Sequence, residues 1–386
     1  MKKECISNIV RDLPPSGIRE FFDLVLGMED VISLGVGEPD FTTPWNIREV
    51  GIFSLEGGQT SYTSNKGMMK LRLCIWRFLK NQYGINYDPE SEILITTGVS
   101  QGLDLVMRTL LNRADKVLVP TPSYVAYAPL VSLAGGTPQI IPTTFKDGFK
   151  LTAELISKYA DKKTKAIVLN YPNNPTGVSY TKKELQGLAT IIKKKNLLVI
   201  SDEVYSELSF DFKHIPIATL DNMKPRTIYF NGFSKGYAMT GWRIGYCCGP
   251  KDIIAGMTKV HQYSMLCAPI ISQLAACEAL ENSKSSVEEM CREYKRRREF
   301  MFRSLNELHF KVDKPQGAFY IFPSIEKTGM SCTDFAKALL REEKVAVVPG
   351  LAFGKGLDNF IRISYASKMS DLKEAISRIS HFLKNK

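Results

Sequence analysis

Histidine is scarce and cysteine is unorganised in this chain. There are four histidines in 386 residues, and the eight cysteines (Cys5, Cys74, Cys247, Cys248, Cys267, Cys277, Cys291 and Cys332) form no C-x-x-C pair and no ligand spacing with them. A structural zinc site and a disulfide framework are therefore not expected, and no metal is assigned. No apolar run approaches the ~20 residues that span a bilayer. Residues 1–12 lack the apolar core of a secretory signal. The expectation is a soluble, cytoplasmic protein with no membrane partner, and no repeat or low-complexity segment interrupts it.

Two further signatures are missing. The G-x-G at Gly35–Gly37 is followed by Glu-Pro and lacks a third glycine, so a dinucleotide fingerprint is not supported. The net charge is +11, yet no basic module accompanies it. The basic run at 193–195 reads as a helix C-terminus, which favours cations, and the run at 296–298 reads as a solvated helix face. Nucleic acid is not an expected partner; the surplus charge suits an anionic cofactor and carboxylate substrates.

What the chain does have is a large apolar core and an alternating pattern. With 44% hydrophobic and 24% charged residues, it predicts one large domain plus a smaller one. Strand-like apolar runs occupy 92–97, 116–119, 165–170, 197–202, 227–231 and 243–248, with helical patterns at 101–111 and 182–194 between them. Continuous apolar strands with intervening helices predict an α/β fold whose mostly parallel sheet is covered on both faces. Ligands of such sheets collect beyond the carboxyl ends of the strands. A long charged helix over 284–308 then leads into an α+β pattern: GAFYIF, a helix around 333–343, VAVVPG, FIRISYA and a final helix.

The polar clusters fall at those strand ends. GVSQG (Gly98 to Gly102) opens a helix and offers free backbone N–H groups, which suits a phosphate; read alone it is equally an ordinary glycine turn. YPNNPTG follows the third run, DEVY closes the fourth, and the fifth runs into Lys235, inside GFSKGYAMTGWRIG at 232–245. Glycines beside Lys235 are expected to let a bulky planar partner reach its amine. Arg243 can fork onto the same phosphate, or serve as a strand-end ion pair. Asp202 ends an apolar strand, so its carboxylate needs a cation or an N–H donor, which a protonated heterocyclic nitrogen supplies. Asn174 and Tyr205 can hydrogen-bond a phenolate oxygen, and Tyr124 offers a face for stacking. Together these groups describe a site for a phosphorylated pyridine aldehyde, pyridoxal 5′-phosphate (PLP).

Seven motifs in order, SLGVGEPDF (33–41), NYPNNPTG (170–177), SDEVY (201–205), the Lys235 run, GAFYIF (317–322), VVPGLAFG (347–354) and FIRISYA (360–366), resemble the class I aminotransferases of PLP fold type I. The pattern, including LPPSGIREFF at 13–22, is most similar to the aromatic and aspartate branch. The resemblance implies a large PLP-binding domain at 46–284 and a small domain formed by 1–45 and 285–386. It also implies that Lys235 links covalently to the cofactor and, once freed by substrate, carries the proton between the substrate Cα and the cofactor C4′. Asp202 would pair with the ring nitrogen, Asn174 and Tyr205 with the ring hydroxyl, and Tyr124 would stack. Val99 and Ser100 backbone N–H groups, with Ser234 and Arg243, would hold the phosphate. Arg362, with Asn174 and the Gly37 backbone, would hold the substrate α-carboxylate. Tyr62 would reach the phosphate of a neighbouring subunit, which implies a homodimer. Without the resemblance, Arg362 is as well read as a structural ion pair, and Tyr62 as a core or surface aromatic.

The implied reaction is ping-pong transamination between an L-α-amino acid and a 2-oxo acid such as 2-oxoglutarate. Ser100 stands where the aspartate-selective bacterial branch often has lysine, and HQYSMLCA (261–268) has no arginine. Met265, Leu266, Ile18, Phe21 and Phe22 are available as apolar walls, unless they are core or interface residues. Aromatic or broadly hydrophobic amino acids are the expected substrates, with aspartate possible. Two alternatives stand beside this reading. One is a carbon–sulfur β-lyase on the same scaffold; the other is a ligand-sensing regulator, for which residues 1–30 are too short to hold a DNA-binding module.

Overall fold

The computed structural model describes residues 5–14, 17 and 27–385. After a two-residue strand, β1 (Ile32–Ser33), seven strands build the main sheet: β2 (Ile93–Thr96), β3 (Lys116–Thr121), β4 (Thr137–Pro142), β5 (Thr164–Asn170), β6 (Leu198–Asp202), β7 (Thr227–Gly232) and β8 (Gly245–Cys248). Their order is β2-β8-β7-β6-β5-β3-β4. Only β8 runs against its neighbours, so the sheet is mostly parallel, as the alternating pattern implied.

The apolar runs are continuous because both faces are covered. Along β5, Ala166 and Val168 enter one core with Leu103 and Val106 of the helix Gly98–Leu110, while Ile167 and Leu169 enter another with Leu185 and Leu188 of the helix Lys182–Lys194. Successive strand residues point to opposite faces, so neither face has room for a polar stripe. Helix Lys182–Lys194 begins on a capping box between Thr181 and Glu184 and ends on Lys193 and Lys194, which places the first basic run at the negative end of a helix.

Three expectations change. Strand β4 has no counterpart in the sequence reading because Pro138 and Pro142 argue against a strand; it is tolerated at the sheet edge, where a missing N–H interrupts no ladder. VAVVPG is two strands rather than one. β9 (Tyr320–Ile321) precedes it; β10 (Val345–Ala346) pairs in parallel with β1, whereas β11 (Val348–Pro349) pairs antiparallel with β12 (Ile361–Ser364), which also pairs with β9. Finally, the run at 296–298 is not a solvated face. In helix Lys284–Glu307, Arg296 stays exposed, but Arg297 is buried against Asp40 at 2.8 Å and Glu293 at 2.9 Å, and Arg298 against Asp211 at 2.6 Å. The segments around Asp40 and Asp211 cover that side of the helix, and their carboxylates offset the desolvation of the two guanidinium groups.

The pairing of β1 with β10 has a consequence for the site. Leu34 N–H donates to Ala346 O at 2.9 Å and Ser364 N–H to Leu34 O at 2.7 Å, which carries the next residues, Gly35 to Glu38, over the carboxyl end of the main sheet. Among the described residues, no helix is long and apolar enough to cross a membrane, and no group of three or more residues is arranged to hold a metal.

Candidate active site

The loops after β2, β5, β6 and β7 meet the segment after β1 around a cavity of about 460 Å3. Its wall includes Gly37, Val99, Ser100, Tyr124, Asn174, Asp202, Tyr205, Ser234, Lys235, Arg243 and Arg362, together with Val36, Glu38, Leu103, Tyr127, Asn170, Val204, Thr240 and Tyr320. Tyr62 is the one sequence-selected site residue outside it, and it is 83% exposed. Met265 and Leu266 are exposed as well; Ile18, Phe21 and Phe22 lie outside the described residues.

Lys235 follows β7 and turns its amine inward, where Nζ donates to Gly37 O at 2.6 Å. Burial drives its pKa down from 10.5 to about 8; Glu38 and Asp202 oppose that shift, while Arg362 and Arg243 add to it. The flanking glycines have another reason than the one expected. A Cβ on Gly236 would lie 2.9 Å from Glu207 Cβ, and one on Gly232 would lie 3.1 Å from Gly245 Cα. They permit close backbone packing that holds the lysine loop, and the approach to the amine is left to the cavity itself.

Asp202 ends β6 with its side chain buried, and burial raises its pKa from 3.8 to about 6. Tyr127 OH donates to Oδ2 at 2.6 Å, and Val204 N–H donates to Oδ1 at 3.3 Å; these bonds oppose the shift. Tyr127 is a cavity-wall residue that the sequence reading missed, because TPSYVAY offered two tyrosines and only Tyr124 was selected. The two rings meet edge to face, 5.6 Å apart. The available signal was the demand itself, since a carboxylate closing an apolar strand requires a donor.

The opposite end of the cavity is cationic. Helix Gly98–Leu110 begins at Gly98, whose φ of +73° and contact with Arg243 both require glycine: a Cβ there would lie 2.8 Å from Arg243 Nη2. Val99 and Ser100 occupy the first turn, where N–H groups have no helical acceptor. Arg243 precedes β8 in a left-handed conformation (φ +51°) rather than lying in the strand, and its Nη1 donates to Thr240 O at 3.1 Å. Among the described residues no carboxylate pairs with it, and the strand-end ion pair is not formed with any of them. A helix N-terminus beside an uncommitted arginine is an anion site.

Arg362, on β12, is only 2% exposed. Nη1 donates to Asn174 Oδ1 at 3.0 Å and Nη2 to Gly35 O, while Nε has no hydrogen-bond partner among the described residues. The guanidinium lies 4.4 Å from the ring centroid of Tyr320 and 5.0 Å from that of Phe353. Tyr320 also meets Tyr205, hydroxyl to hydroxyl, at 3.0 Å, and its hydroxyl occupies the space a Cβ on Gly37 would need. Tyr320 and Phe353 were visible only as letters in GAFYIF and VVPGLAFG, with no role attached. Burial lowers the Arg362 pKa, but the group stays cationic, and two neutral acceptors do not neutralise it.

Residues 29–379 match the family described as aminotransferase class I and II. The chain belongs to that family. The aspartate aminotransferase of Pyrococcus abyssi is 46% identical over 96% of this chain and 96% of its own. Aromatic-amino-acid aminotransferase 2 of Thermococcus litoralis is 43% identical over 99% of each chain. The crystal structure of an aromatic aminotransferase from Pyrococcus horikoshii superposes with a TM-score of 0.90 at 44% identity, covering 95% of this chain and 99% of that one. The enzyme is an aminotransferase, a transferase of nitrogenous groups, and its family implies PLP. The residues fit that group: a buried carboxylate short of a cation, an anion cradle at Gly98 to Ser100 with Arg243, and an amine of lowered pKa share one cavity of sufficient size.

Proposed function

We propose that this aminotransferase uses PLP to transfer the amino group of an aromatic or broadly hydrophobic L-α-amino acid to a 2-oxo acid such as 2-oxoglutarate, in ping-pong order. The observation that carries the reading is Arg362, a buried guanidinium in the cavity wall with no carboxylate partner among the described residues. Burying a cation without a counter-ion costs several kcal/mol, and a substrate α-carboxylate would supply the missing charge through a forked pair of hydrogen bonds. Asn174, already bonded to Arg362, and the Gly37 backbone would help to orient it.

When bound, PLP supplies an electron-accepting ring that stabilises negative charge at the substrate Cα. Asp202 would hold the ring nitrogen in its protonated form, and Tyr127 keeps that carboxylate aimed. Asn174 and Tyr205 would hold the ring oxygen, Tyr124 would cover the ring face, and Val99, Ser100, Ser234 and Arg243 would hold the phosphate. Lys235, as free base, would take the proton from the substrate Cα and deliver it to the cofactor C4′. Its lowered pKa leaves an appreciable unprotonated fraction near neutrality, which a general base needs.

The side-chain preference rests on charge. Among the described cavity residues the cations are Lys235, Arg243 and Arg362, and each already has an assignment, so none is left for a distal carboxylate. Glu38, also in the wall, disfavours one. A homodimer belongs to the same proposal: Trp45, Phe53, Tyr62 and Tyr263 are exposed apolar groups that a second copy would cover, with Tyr62 reaching the neighbouring phosphate. So does the division into a large domain at 46–284 and a small one from 1–45 and 285–386.

Stopped-flow half-reactions on the PLP-loaded enzyme test the reading. Phenylalanine and tyrosine are expected to react faster than aspartate; a clear preference for aspartate overturns the substrate class, and the absence of any amino-acid-dependent spectral change overturns the chemistry.

A further inference from the structure

The start of helix Gly98–Leu110 is held from behind by side chains that do not line the cavity. Its N-cap residue, Thr97, makes no side-chain cap, and among the described residues its Oγ1 has no hydrogen-bond partner. The N–H groups of the first turn are thus left without an acceptor from the cap. The backbone N–H of Thr97 itself donates to Gln101 Oε1 at 2.7 Å, one turn along the same helix, a reach-back like the second half of a capping box. Gln101 Nε2 in turn lies 3.0 Å from Nδ1 of His261, in the last turn of helix Lys251–Ser264. Neither Gln101 nor His261 is in the cavity wall.

We propose that Gln101 and His261 are positioning residues for the anion cradle of Val99, Ser100 and Arg243, with His261 serving as the neutral acceptor that locks the Gln101 amide. The inference rests on the reading that this cradle holds the PLP phosphate.

The donor and acceptor roles follow from the chain of contacts. A backbone N–H can only donate, so the Gln101 atom that meets Thr97 is the carbonyl oxygen and the atom that meets His261 is the amide NH2. That group can only donate, so His261 Nδ1 must accept. The imidazole is therefore neutral, with its proton on Nε2; a second proton would set N–H against N–H. His261 is 0% exposed, and burial lowers its pKa below the ordinary 6.5, in the direction that favours this neutral form. Its Nε2 has no hydrogen-bond partner among the described residues, so the bond to Gln101 is the one that orients the ring. The backbone beneath the ring is fixed as well, because the His261 carbonyl accepts Met265 N–H at 2.9 Å and Leu266 N–H at 3.1 Å. The turn that this chain of contacts closes is a demanding one, since Gly98 takes φ +73° directly beside Arg243. Holding it in place before an anion arrives spares the ordering cost of binding.

Pyridoxal, which has the aldehyde and the ring but no phosphate, separates this role from a general structural one. Full-length enzyme freed of PLP is titrated with PLP and with pyridoxal, and the ratio of their dissociation constants is read from absorbance. Wild type is expected to prefer PLP strongly. Gln101→Met and His261→Leu are each expected to lower that preference roughly three- to tenfold, as for the loss of one hydrogen bond, with pyridoxal affinity unchanged. His261→Asn is expected to keep the wild-type preference, because its Oδ1 can accept where Nδ1 does. The two positions lie on different helices, so either variant decides the matter if the other fails to fold. A wild type that binds both aldehydes alike overturns the phosphate cradle itself. A wild-type preference that survives both substitutions, an equal loss of PLP and pyridoxal affinity, or an asparagine variant as weak as the leucine one overturns the positioning role and leaves the cradle standing.

Discussion

Tyr127 donates its hydroxyl to the carboxylate of Asp202 at 2.6 Å, and the pair is buried at the carboxyl end of the main sheet. The bond gives Asp202 a neutral partner in place of the cation that its burial calls for.

Removing that donor tests its role. Burial raises the Asp202 pKa and Tyr127 opposes it, so Tyr127→Phe should raise it further and weaken the hold on a protonated ring nitrogen. A lost hydrogen bond to a charged group amounts to about 1.5–3 kcal/mol. The amino-acid half-reaction is expected to slow by roughly 10- to 100-fold, measured by stopped-flow absorbance, with far-ultraviolet circular dichroism unchanged. An unchanged rate would show that Val204 N–H alone suffices.

Asp202→Asn separates stability from activity. The folded-state pKa of about 6 lies above the ordinary 3.8, so the cofactor-free fold favours the protonated acid. That contribution is fully present below pH 3.8 and is lost as the pH rises through about 6, at a cost of about 3 kcal/mol by linkage. The variant has no such loss. Denaturant unfolding of the cofactor-free proteins should therefore show the variant gaining on wild type between pH 4 and 6, then holding a constant margin. Transamination by the loaded variant should fall on the order of 10²- to 10³-fold, as expected for removal of a charge-stabilising group. A variant that tracks wild type across that pH range would sink the assignment of Asp202 as a destabilised carboxylate.

The Lys235 amine gives a pH dependence of opposite use. Its pKa is lowered to about 8, and only the free base attacks an aldehyde. Covalent attachment of added PLP to cofactor-free enzyme, followed by absorbance, should accelerate about tenfold per pH unit below 8 and level off above it. Lys235→Ala should abolish the attachment and lower transamination by about 10⁴-fold or more, the upper range for a general base. A profile that keeps climbing to pH 10 would place the amine at its ordinary value.

Much of this arrangement is legible in the sequence, and for definite reasons. Strands β5, β6 and β7 are buried on both faces, so their apolar runs stand out, and each ends in a polar cluster that marks the site. Asp202, Lys235 and Arg362 are chemically conspicuous where they occur. What could not be read depends on pairing across the chain. β10 and β11 are adjacent letters that join different sheets, Arg297 and Arg298 look solvated until Asp40 and Asp211 close over them, and Tyr127, Tyr320 and Phe353 acquire meaning only from the charged groups they touch. β4 was hidden by its prolines, which are acceptable because it is an edge.

Arg362 offers the sharpest conflict between folding and function. Its guanidinium is packed between Tyr320 and Phe353, and among the described residues its Nε has no partner and its hydrogen bonds go to Asn174 and Gly35 rather than to an anion. Replacing an uncompensated buried cation with an apolar side chain is often neutral or stabilising, so Arg362→Leu should leave the thermal midpoint of the cofactor-free enzyme unchanged or raise it. Arg362→Lys retains the charge but not the planar fork. Losing the forked, charge-assisted pair to a carboxylate is expected to cost roughly 2–3 kcal/mol, which corresponds to a KM for the amino acid about 30- to 150-fold higher in the lysine variant, and higher still in the leucine one. PLP affinity, measured by fluorescence quenching, should change little because Arg362 is not among the residues proposed to hold the phosphate. If both variants lose PLP and amino acid together, or if KM stays at the wild-type value, Arg362 is a structural residue and the substrate carboxylate is held elsewhere.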